Sequence, residues 1–576
     1  MSGDVILPSF QWRPFCVALL AVAGLTTIAW LASPPVYVTN DDVAIRLAVE
    51  GRVIPGQPPS GFVLITTSLL GWIIVGLYRL LPAIPWWDLV VSATTVCALS
   101  VFFSIGWSTL GRGWLARATG SGVLLMVATP LLSGLQFTIA ATLAGGAAVL
   151  AAVLEVSSMA SPRRSVLLMS AALLVVGLLV RPMGAAAGVL AVVVCLIPLA
   201  LVRALPIKTV AIALVTTAGL CVAVLSLDVL PYKLDKNWDD YRRYQSMVVG
   251  LLEWGGDVSA TEAEAIRQTV GWSSNDWEMI RWFAVDPLVH GIPQMAKAYD
   301  TRSATTGWAS VVRPSWFDAA RIESGLRRVL ANSAAALSGL AAVLLAYGTR
   351  RGILVAAMIV VAFGALCVAT ETVFKELPFR VLAPIQMCMA AAVIVSAGAF
   401  KRESRHPRMV LGLSIVVAIL TFQIPATLKA ASDEHRHSQQ VDGEVQAMVQ
   451  RLAPSLIVLH ADSFPSEHWW RPFHRAPIDL PAIALGWNNQ NPLLQTFLSV
   501  SGRQPLLRAM CTDPSILVVA EEGRLDFVTI YLREHFNESV IWSRMMEGSF
   551  SFPVWRCSPA RPSIPRGSTE PDARPS

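Results

Sequence analysis

Apolar runs of about 20 residues recur through the first three quarters of the chain, each closed by a short polar or Pro/Gly-rich stretch. That is the length an α-helix needs to cross a bilayer core. The first run covers roughly residues 14–33 and is stopped by Pro34-Pro35. Others fall near 87–109, 119–134, 138–156, 165–180, 183–202, 209–230, 328–347, 352–370, 381–400 and 409–428. The pattern predicts an α-helical multi-span membrane protein with about 11 transmembrane helices. Residues 62–81 are apolar too, and either span or lie in the interface as a juxtamembrane or re-entrant helix pair.

Between the runs, Thr39-Asn40-Asp41-Asp42 opens a short helix from Val43 to Glu50 that Gly51 ends. Residues 34–86 form the first outer loop and residues 231–327 a long, Trp-rich one. The long loop predicts amphipathic helices over Asp239–Tyr244 and Thr261–Val270, and a helix capped by Ser274–Glu278 that continues to Val285. The membrane module ends at 432. Residues 433–557 predict a small α/β domain, with strands at Ser455–His460 and Ile516–Ala520 and a helix from Arg524 to Phe536. Residues 558–576, rich in Pro, Ser and Arg, predict a disordered tail.

Composition agrees. The 576 residues are 54% hydrophobic and 15% charged, and mean hydropathy is +0.56; soluble chains carry nearer a quarter charged residues. The net charge of +6 gathers between runs, which argues for membrane orientation and against nucleic-acid binding. If 62–81 does not cross, the cytoplasmic loops hold Arg112, Arg117, Arg163, Arg164, Arg203, Lys208, Arg350, Arg351, Lys401, Arg402, Arg405 and Arg408. The N-terminus is then cytoplasmic and the C-terminal domain periplasmic, in a bacterial inner membrane. Arg46, Arg52, Arg79, Arg181, Lys375 and Arg380 remain on the outer side.

Cys16, Cys97, Cys195, Cys221, Cys367 and Cys388 lie in or beside apolar runs and read as small buried hydrophobes. Cys511 and Cys557 lie in the polar C-terminal region; they either form a disulfide outside the cytoplasm or remain free thiols. No CxxC motif occurs.

The candidate chemistry centres on Asp41 and Asp42. Thr39 to Asp42 has capping-box spacing, so a structural cap is one reading. A cap needs a single acid, however, and two acids at a bilayer surface suit removal of a proton from a hydroxyl. An acid pair also binds Mg²⁺, so a divalent metal stays open, but no third ligand is identifiable and no cofactor is expected. Arg181, Arg380 and Lys375, at outer span ends, either bind a phosphate headgroup or snorkel. Arg242, Arg243, Asn275, Asp276, Asp286 and Gln136 are candidate substrate contacts. For Asp276 the rival is a helix cap, and for Gln136 and Thr138 it is interhelical bonding. The tryptophans read mostly as interface anchors, and His460, His468 and His474 as exposed loop residues.

An N-terminal span, an outer loop with paired acids, an apolar segment ending in Leu77-Tyr78-Arg79 and then many spans resembles the GT-C superfamily of integral membrane glycosyltransferases. Thr39–Asp42, Leu70-Gly71, Gln136-Phe137-Thr138, Leu179-Val180-Arg181, Gly271–Asp276, Trp282 with Asp286, and Arg380-Val381 resemble, in that order, a largely uncharacterised bacterial group. The resemblance implies a polyprenyl-phosphate-sugar donor and a loop acid as general base. The expectation is inverting transfer of a sugar to an envelope glycan, lipid or protein acceptor on the periplasmic face, with Asp41 as base and Asp42 as second candidate. A lipid-linked polysaccharide polymerase or ligase is the alternative. A lipid or solute transporter would need mid-span charges, and few occur.

Overall fold

Every apolar run expected to span forms a helix in the computed structural model. The structure describes residues 10–54, 57–110, 113–158, 161–252, 258–282, 284–306, 319–374, 377–400, 406–460, 463–474, 482–546, 548 and 550–560. Lys375, Asp462 and most of the expected tail, 561–576, lie outside the described residues.

The chain divides into two compact units. The first comprises Met1–Ser259, Arg302–Val445 and Pro465–Asp479; the second comprises Ala260–Thr301, Gln446–Phe464 and Leu480–Ser576. The division expected at 433 falls inside one long helix, and part of the long loop belongs to the second unit.

The first unit runs α1 (Trp12–Ala32), β1 (Val36–Tyr37), α2 (Asn40–Glu50), α3 (Ser68–Leu80), α4 (Trp86–Thr109), α5 (Trp114–Leu132), β2 (Gly134–Leu135), α6 (Phe137–Ser158), α7 (Arg164–Val180), α8 (Pro182–Leu201), α9 (Ile207–Leu234) and α10 (Lys236–Leu252). After α11 (Ala260–Val270), α12 (Ser274–Arg281) and α13 (Ile292–Thr306) come α14 (Ala319–Tyr347), α15 (Arg350–Phe374), α16 (Phe379–Ala399) and α17 (His406–Leu452). Among the described residues, nine helices are long and apolar enough to cross a membrane. The two other expected runs are the shorter α7 and the apolar stretch Ala336–Tyr347 of α14.

Whether residues 62–81 cross is settled by a contact. The Tyr37 hydroxyl, just past α1, donates to Asp88 Oδ1 in the first turn of α4 at 2.5 Å. The end of α1 and the start of α4 therefore share a face. The helix between them, α3, has 13 residues, about 20 Å at 1.5 Å per residue, against a core of about 30 Å. It is held locally instead: Thr66 and Thr67 Oγ1 donate to Leu179 O at 2.9 and 2.7 Å.

The centre of the first unit is α6, packed by small residues. A Cβ on Gly188 of α8 would sit 1.9 Å from Thr142 O, and one on Gly146 would sit 2.4 Å from Cys388 Sγ of α16. Such close backbone approach is how apolar helices associate where no water drives them together. Gly184 faces Thr138, Gly188 faces Thr142 and Gly146 faces Val192, so α6 and α8 run parallel and start at one level.

Cys195, Cys367 and Cys388 are buried as expected, whereas Cys16 is exposed and Cys97 and Cys221 are only partly covered. Cys16 lies on α1, a candidate span with little of its surface buried. Apolarity there suits a lipid-facing surface as well as a protein core.

In the second unit, α12 stops at Arg281, short of the expected Val285. Trp282 N–H closes on Glu278 O and Ala284 N–H on Met279 O, which ends the helix ahead of Pro287. The unit's sheet has β3 (Leu456–His460), β4 (Ala482–Leu485), β5 (Ile516–Val519), β6 (Val540–Met545) and β7 (Val554–Pro559) in the order β4-β3-β5-β7-β6. The first three are parallel, and β7 runs antiparallel to both β5 and β6. Fully buried β3 and β5 read as continuous apolar runs, as parallel central strands do. Helices α18 (Ser466–Trp469, first unit), α19 (Pro492–Val500), α20 (Leu506–Thr512) and α21 (Glu522–Phe536) complete the chain. Cys511 and Cys557 are disulfide-bonded, joining α20 to β7. β7 takes in the first two residues of the expected tail.

Candidate active site

The site is built on the start of α6. β1 and β2 form a two-residue parallel ladder pairing Val36 with Gly134 and Tyr37 with Leu135. The chain entering α2 and the chain entering α6 therefore run side by side. Thr39 precedes α2, and Gly51 ends it at φ 71°, the left-handed conformation glycine adopts freely.

Asp42 does not cap its own helix as the spacing suggested. The Thr39 hydroxyl donates to Asp42 Oδ2 at 2.9 Å, and Oδ1 accepts the N–H of Phe137, the first residue of α6, at 3.0 Å. Asp42 is thus an acid at the N-terminus of a neighbouring helix, where N–H groups lack helical partners and negative charge is favoured. It is fully buried. That burial pushes its carboxyl well above the ordinary carboxylate range, against the pull of the Phe137 N–H and the Thr39 hydroxyl.

Gln136 supplies a second cap to α6. Its Oε1 accepts Ile139 N–H at 2.8 Å, and its Nε2 donates to Thr138 Oγ1 at 3.0 Å. Arg181, between α7 and α8, donates from Nη1 to the same Thr138 oxygen at 2.6 Å, with its guanidinium 4.9 Å from the centre of the Phe137 ring. Pro182, with no N–H to satisfy, follows at the first position of α8. Arg380 sits in the first turn of α16, close enough for its charge to act on Asp42. A cation in a first turn opposes the helix dipole. Among the described residues, its guanidinium has no hydrogen bond or ion pair.

Three helix N-termini, two guanidiniums and one buried carboxylate therefore converge. Asp41, one residue before Asp42, is partly exposed, and its carboxylate accepts no hydrogen bond from the described residues. Such an assembly can hold an anion against the helix N-termini and arginines and offer a carboxylate to a proton donor beside it. Among the described residues, no third acid or histidine joins Asp41 and Asp42 in metal-ligand geometry.

A buried network that the sequence did not reveal braces α2 from behind. Arg46, 5% exposed, donates to Glu50 Oε1 at 2.8 Å, Tyr37 Oη at 3.0 Å, Arg471 O at 2.7 Å and His474 O at 2.5 Å. It also lies 3.4 Å from Asp88 Oδ2, which accepts Phe473 N–H at 2.7 Å. The segment 471–474 is thereby clamped onto α2 and α4.

The remaining candidates have other partners. Arg242 and Arg243 in α10 pair with Asp239 at 3.6 and 3.0 Å, beside Lys233 at 2.7 Å. The Lys233 hydrogen bond, with these two charges, holds Asp239 below its usual range. Asn275, Asp276 and Asp286 belong to the second unit, where their polar groups serve its own packing. Asn275 Nδ2 donates to Phe527 O at 3.0 Å, Asp276 completes a capping box with Ser273, and Asp286 Oδ1 accepts Leu288 N–H at 2.8 Å. His460 is a strand residue, 2% exposed, with Nε2 2.7 Å from Trp282 O; it is not an exposed loop histidine. His468 is half-buried, 3.6 Å from Glu434, while His474 is exposed. Among the tryptophans, Trp238 stacks on Phe62 at 4.5 Å, and Arg524 covers Trp282 at 3.5 Å.

No protein-family model matches the chain, and no curated protein matches it in sequence. Among solved structures, the chain is similar to ArnT from Cupriavidus metallidurans bound to undecaprenyl phosphate. Identity is 12%, covering 93% of this chain and 97% of that one, at a TM-score of 0.36.

Proposed function

We propose that this chain is a GT-C-like membrane glycosyltransferase that moves a sugar from a polyprenyl-phosphate carrier to an acceptor hydroxyl on the periplasmic face. Asp41 takes the acceptor proton as the hydroxyl oxygen attacks the anomeric carbon from the side opposite the phosphate. The bond between that carbon and the phosphate oxygen breaks, and its electron pair leaves with the lipid phosphate. Arg181, Arg380 and the N-termini of α6, α8 and α16 stabilise the departing charge. One base suffices, because a glycosyl phosphate already carries a good leaving group.

What supports this reading is Arg181 bonded to Thr138 at the start of α6 and Arg380 acting on Asp42, with the unengaged carboxylate Asp41 the next residue to Asp42. Asp42 is buried and holds Phe137 N–H, so it positions the site, and Gln136 does so by capping α6. The disulfide in the second unit supports an oxidising compartment, and the basic loops support the same orientation. The acceptor is an envelope glycan, lipid or protein, and the membrane is the bacterial inner membrane.

Native mass spectrometry of the full-length chain in detergent tests the donor site, with a polyprenyl monophosphate as probe and the polyprenyl alcohol as control. Wild type retains the phosphate over the alcohol. Arg181→Gln with Arg380→Gln loses about 1.5–3 kcal/mol for each charged hydrogen bond, a tenfold or greater weakening apiece. Equal retention of phosphate and alcohol by wild type refutes the donor site.

A further inference from the structure

The two arginines of the site are held in different ways. Arg181 is bonded to Thr138, whereas the Arg380 guanidinium has no hydrogen bond or ion pair among the described residues. Where Arg380 stands therefore depends on where α16 begins. Pro378 precedes the helix, and its carbonyl accepts Val381 N–H at 2.9 Å and Leu382 N–H at 3.0 Å, which opens the first turn. Pro378 has no N–H of its own to anchor that turn. The anchor is one residue earlier, where Leu377 N–H donates to Glu371 Oε2 at 2.5 Å.

Glu371 is the last residue of the candidate span Arg350–Glu371 in α15 and is 4% exposed. A carboxylate buried at a span end is costly unless it is paired. Its Oε1 lies 2.6 Å from Nη2 of Arg328 on α14. That ion pair would by itself tie α14 to α15. A tie of this kind leaves the second oxygen without a task, yet Oε2 is committed to the backbone that leads into α16. Leu377 is buried too, 8% exposed, so its N–H needs an acceptor from the protein.

We propose that Glu371 is a positioning residue for the phosphate site: paired with Arg328, it fixes Leu377 and the first turn of α16, and so sets the Arg380 guanidinium near Asp42. The proposal rests on the donor reading above, in which Arg380 receives the leaving phosphate. Glu371 itself does not touch the substrate. Alanine at 371 frees Leu377 N–H and lets the start of α16 move, and a displacement of about 1 Å is enough to lose a charged hydrogen bond. Glutamine keeps an acceptor oxygen for Leu377 and gives up only the charge facing Arg328, which is about half exposed and is hydrated in its place.

The test compares full-length wild type, Glu371→Ala, Glu371→Gln, Arg380→Gln and the Glu371→Ala, Arg380→Gln double variant by native mass spectrometry in detergent. The probe is a polyprenyl monophosphate and the control is the polyprenyl alcohol. Glu371→Ala weakens phosphate retention about tenfold, as Arg380→Gln does, and leaves the alcohol unchanged. Glu371→Gln recovers most of that loss. The double variant is no weaker than Arg380→Gln, because residues acting through one contact do not add. A Glu371→Ala protein with wild-type preference for the phosphate overturns the proposal, and so does a double variant weaker still than Arg380→Gln. Wild type without that preference removes the donor site and this proposal together. A second measurement needs no variant: hydrogen exchange at Leu377 N–H in wild type. Saturating polyprenyl monophosphate slows it about tenfold or more and the alcohol does not; exchange unchanged by the phosphate overturns the link between Leu377 and Arg380.

Discussion

Replacing Asp42 by alanine removes the acceptor for Phe137 N–H, a group at the start of α6 with no helical partner. Phe137 is fully buried, so its N–H is left unsatisfied at a cost of about 1–3 kcal/mol. Losing the acid from a helix N-terminus adds roughly 0.3–1 kcal/mol. Thr39 is only partly covered, and its hydroxyl turns to water at little cost. The total, about 1.3–4 kcal/mol, is a shift of roughly tenfold or more in the folding equilibrium. Asp42→Asn keeps an acceptor oxygen for Phe137 and costs less than about 1 kcal/mol.

The two substitutions also separate in pH. Burial raises the folded-state carboxyl of Asp42 above its unfolded range, so the folded state binds the proton more tightly than the unfolded one. Wild-type stability from this group is fully present below the unfolded value, near pH 4, and is lost as pH rises through the folded one. The asparagine variant has no such proton, so it gains on wild type as pH rises. The assay is unfolding by sodium dodecyl sulfate in mixed micelles, followed by tryptophan fluorescence from pH 5 to 8. An alanine variant as stable as wild type refutes the reasoning. So does an asparagine variant that loses as much as alanine, because charge and not the hydrogen bond would then hold α6.

Arg46→Met strips donors from two backbone carbonyls and leaves the Glu50 and Asp88 carboxylates buried. It destabilises the first unit by about 3–5 kcal/mol, and hydrogen exchange at Phe473 N–H accelerates; unchanged exchange there contradicts the clamp. In isolated membranes, Cys511 and Cys557 resist alkylation until a reductant is added, whereas free thiols at both positions would remove the disulfide. Cys511→Ser with Cys557→Ser lowers the stability of the second unit by about 2–4 kcal/mol, read as faster proteolysis between α20 and β7.

What could be read from the chain follows the range of the interactions involved. The spans were legible because 20 successive apolar residues have few other uses. The same holds for the end of α2, whose terminal glycine is a local signal. Loop charges argued against residues 62–81 crossing but left the point open, and the Tyr37–Asp88 bond decides it by geometry. A cap at the start of α12 was readable, but the one expected at Ser274–Glu278 forms instead between Ser273 and Asp276. The true partner of Asp42 did not show, since Phe137 lies 95 positions away and only the β1–β2 ladder brings the two together. Asp88, in the first turn of α4, carries no local signal of its role. Its partners, Arg46 and the 471–474 backbone, come from separate stretches of sequence. The second unit hid its outline because it draws α11 and α12 from a loop far from its strands. No local pattern reports such a union.

The central claim is that Asp41 accepts the acceptor's proton while Asp42 only holds the helix behind it. Its most direct test is glycan composition, by mass spectrometry, in a deletion strain carrying wild type, Asp41→Asn or Asp41→Glu, with polyprenyl-phosphate binding measured on each purified protein. Loss of a general base costs about 10²–10⁴ in rate. Asp41→Asn should therefore abolish the modification that wild type restores, leave phosphate binding intact, and be partly rescued by glutamate. A wild-type glycan profile in the Asp41→Asn strain would contradict the account.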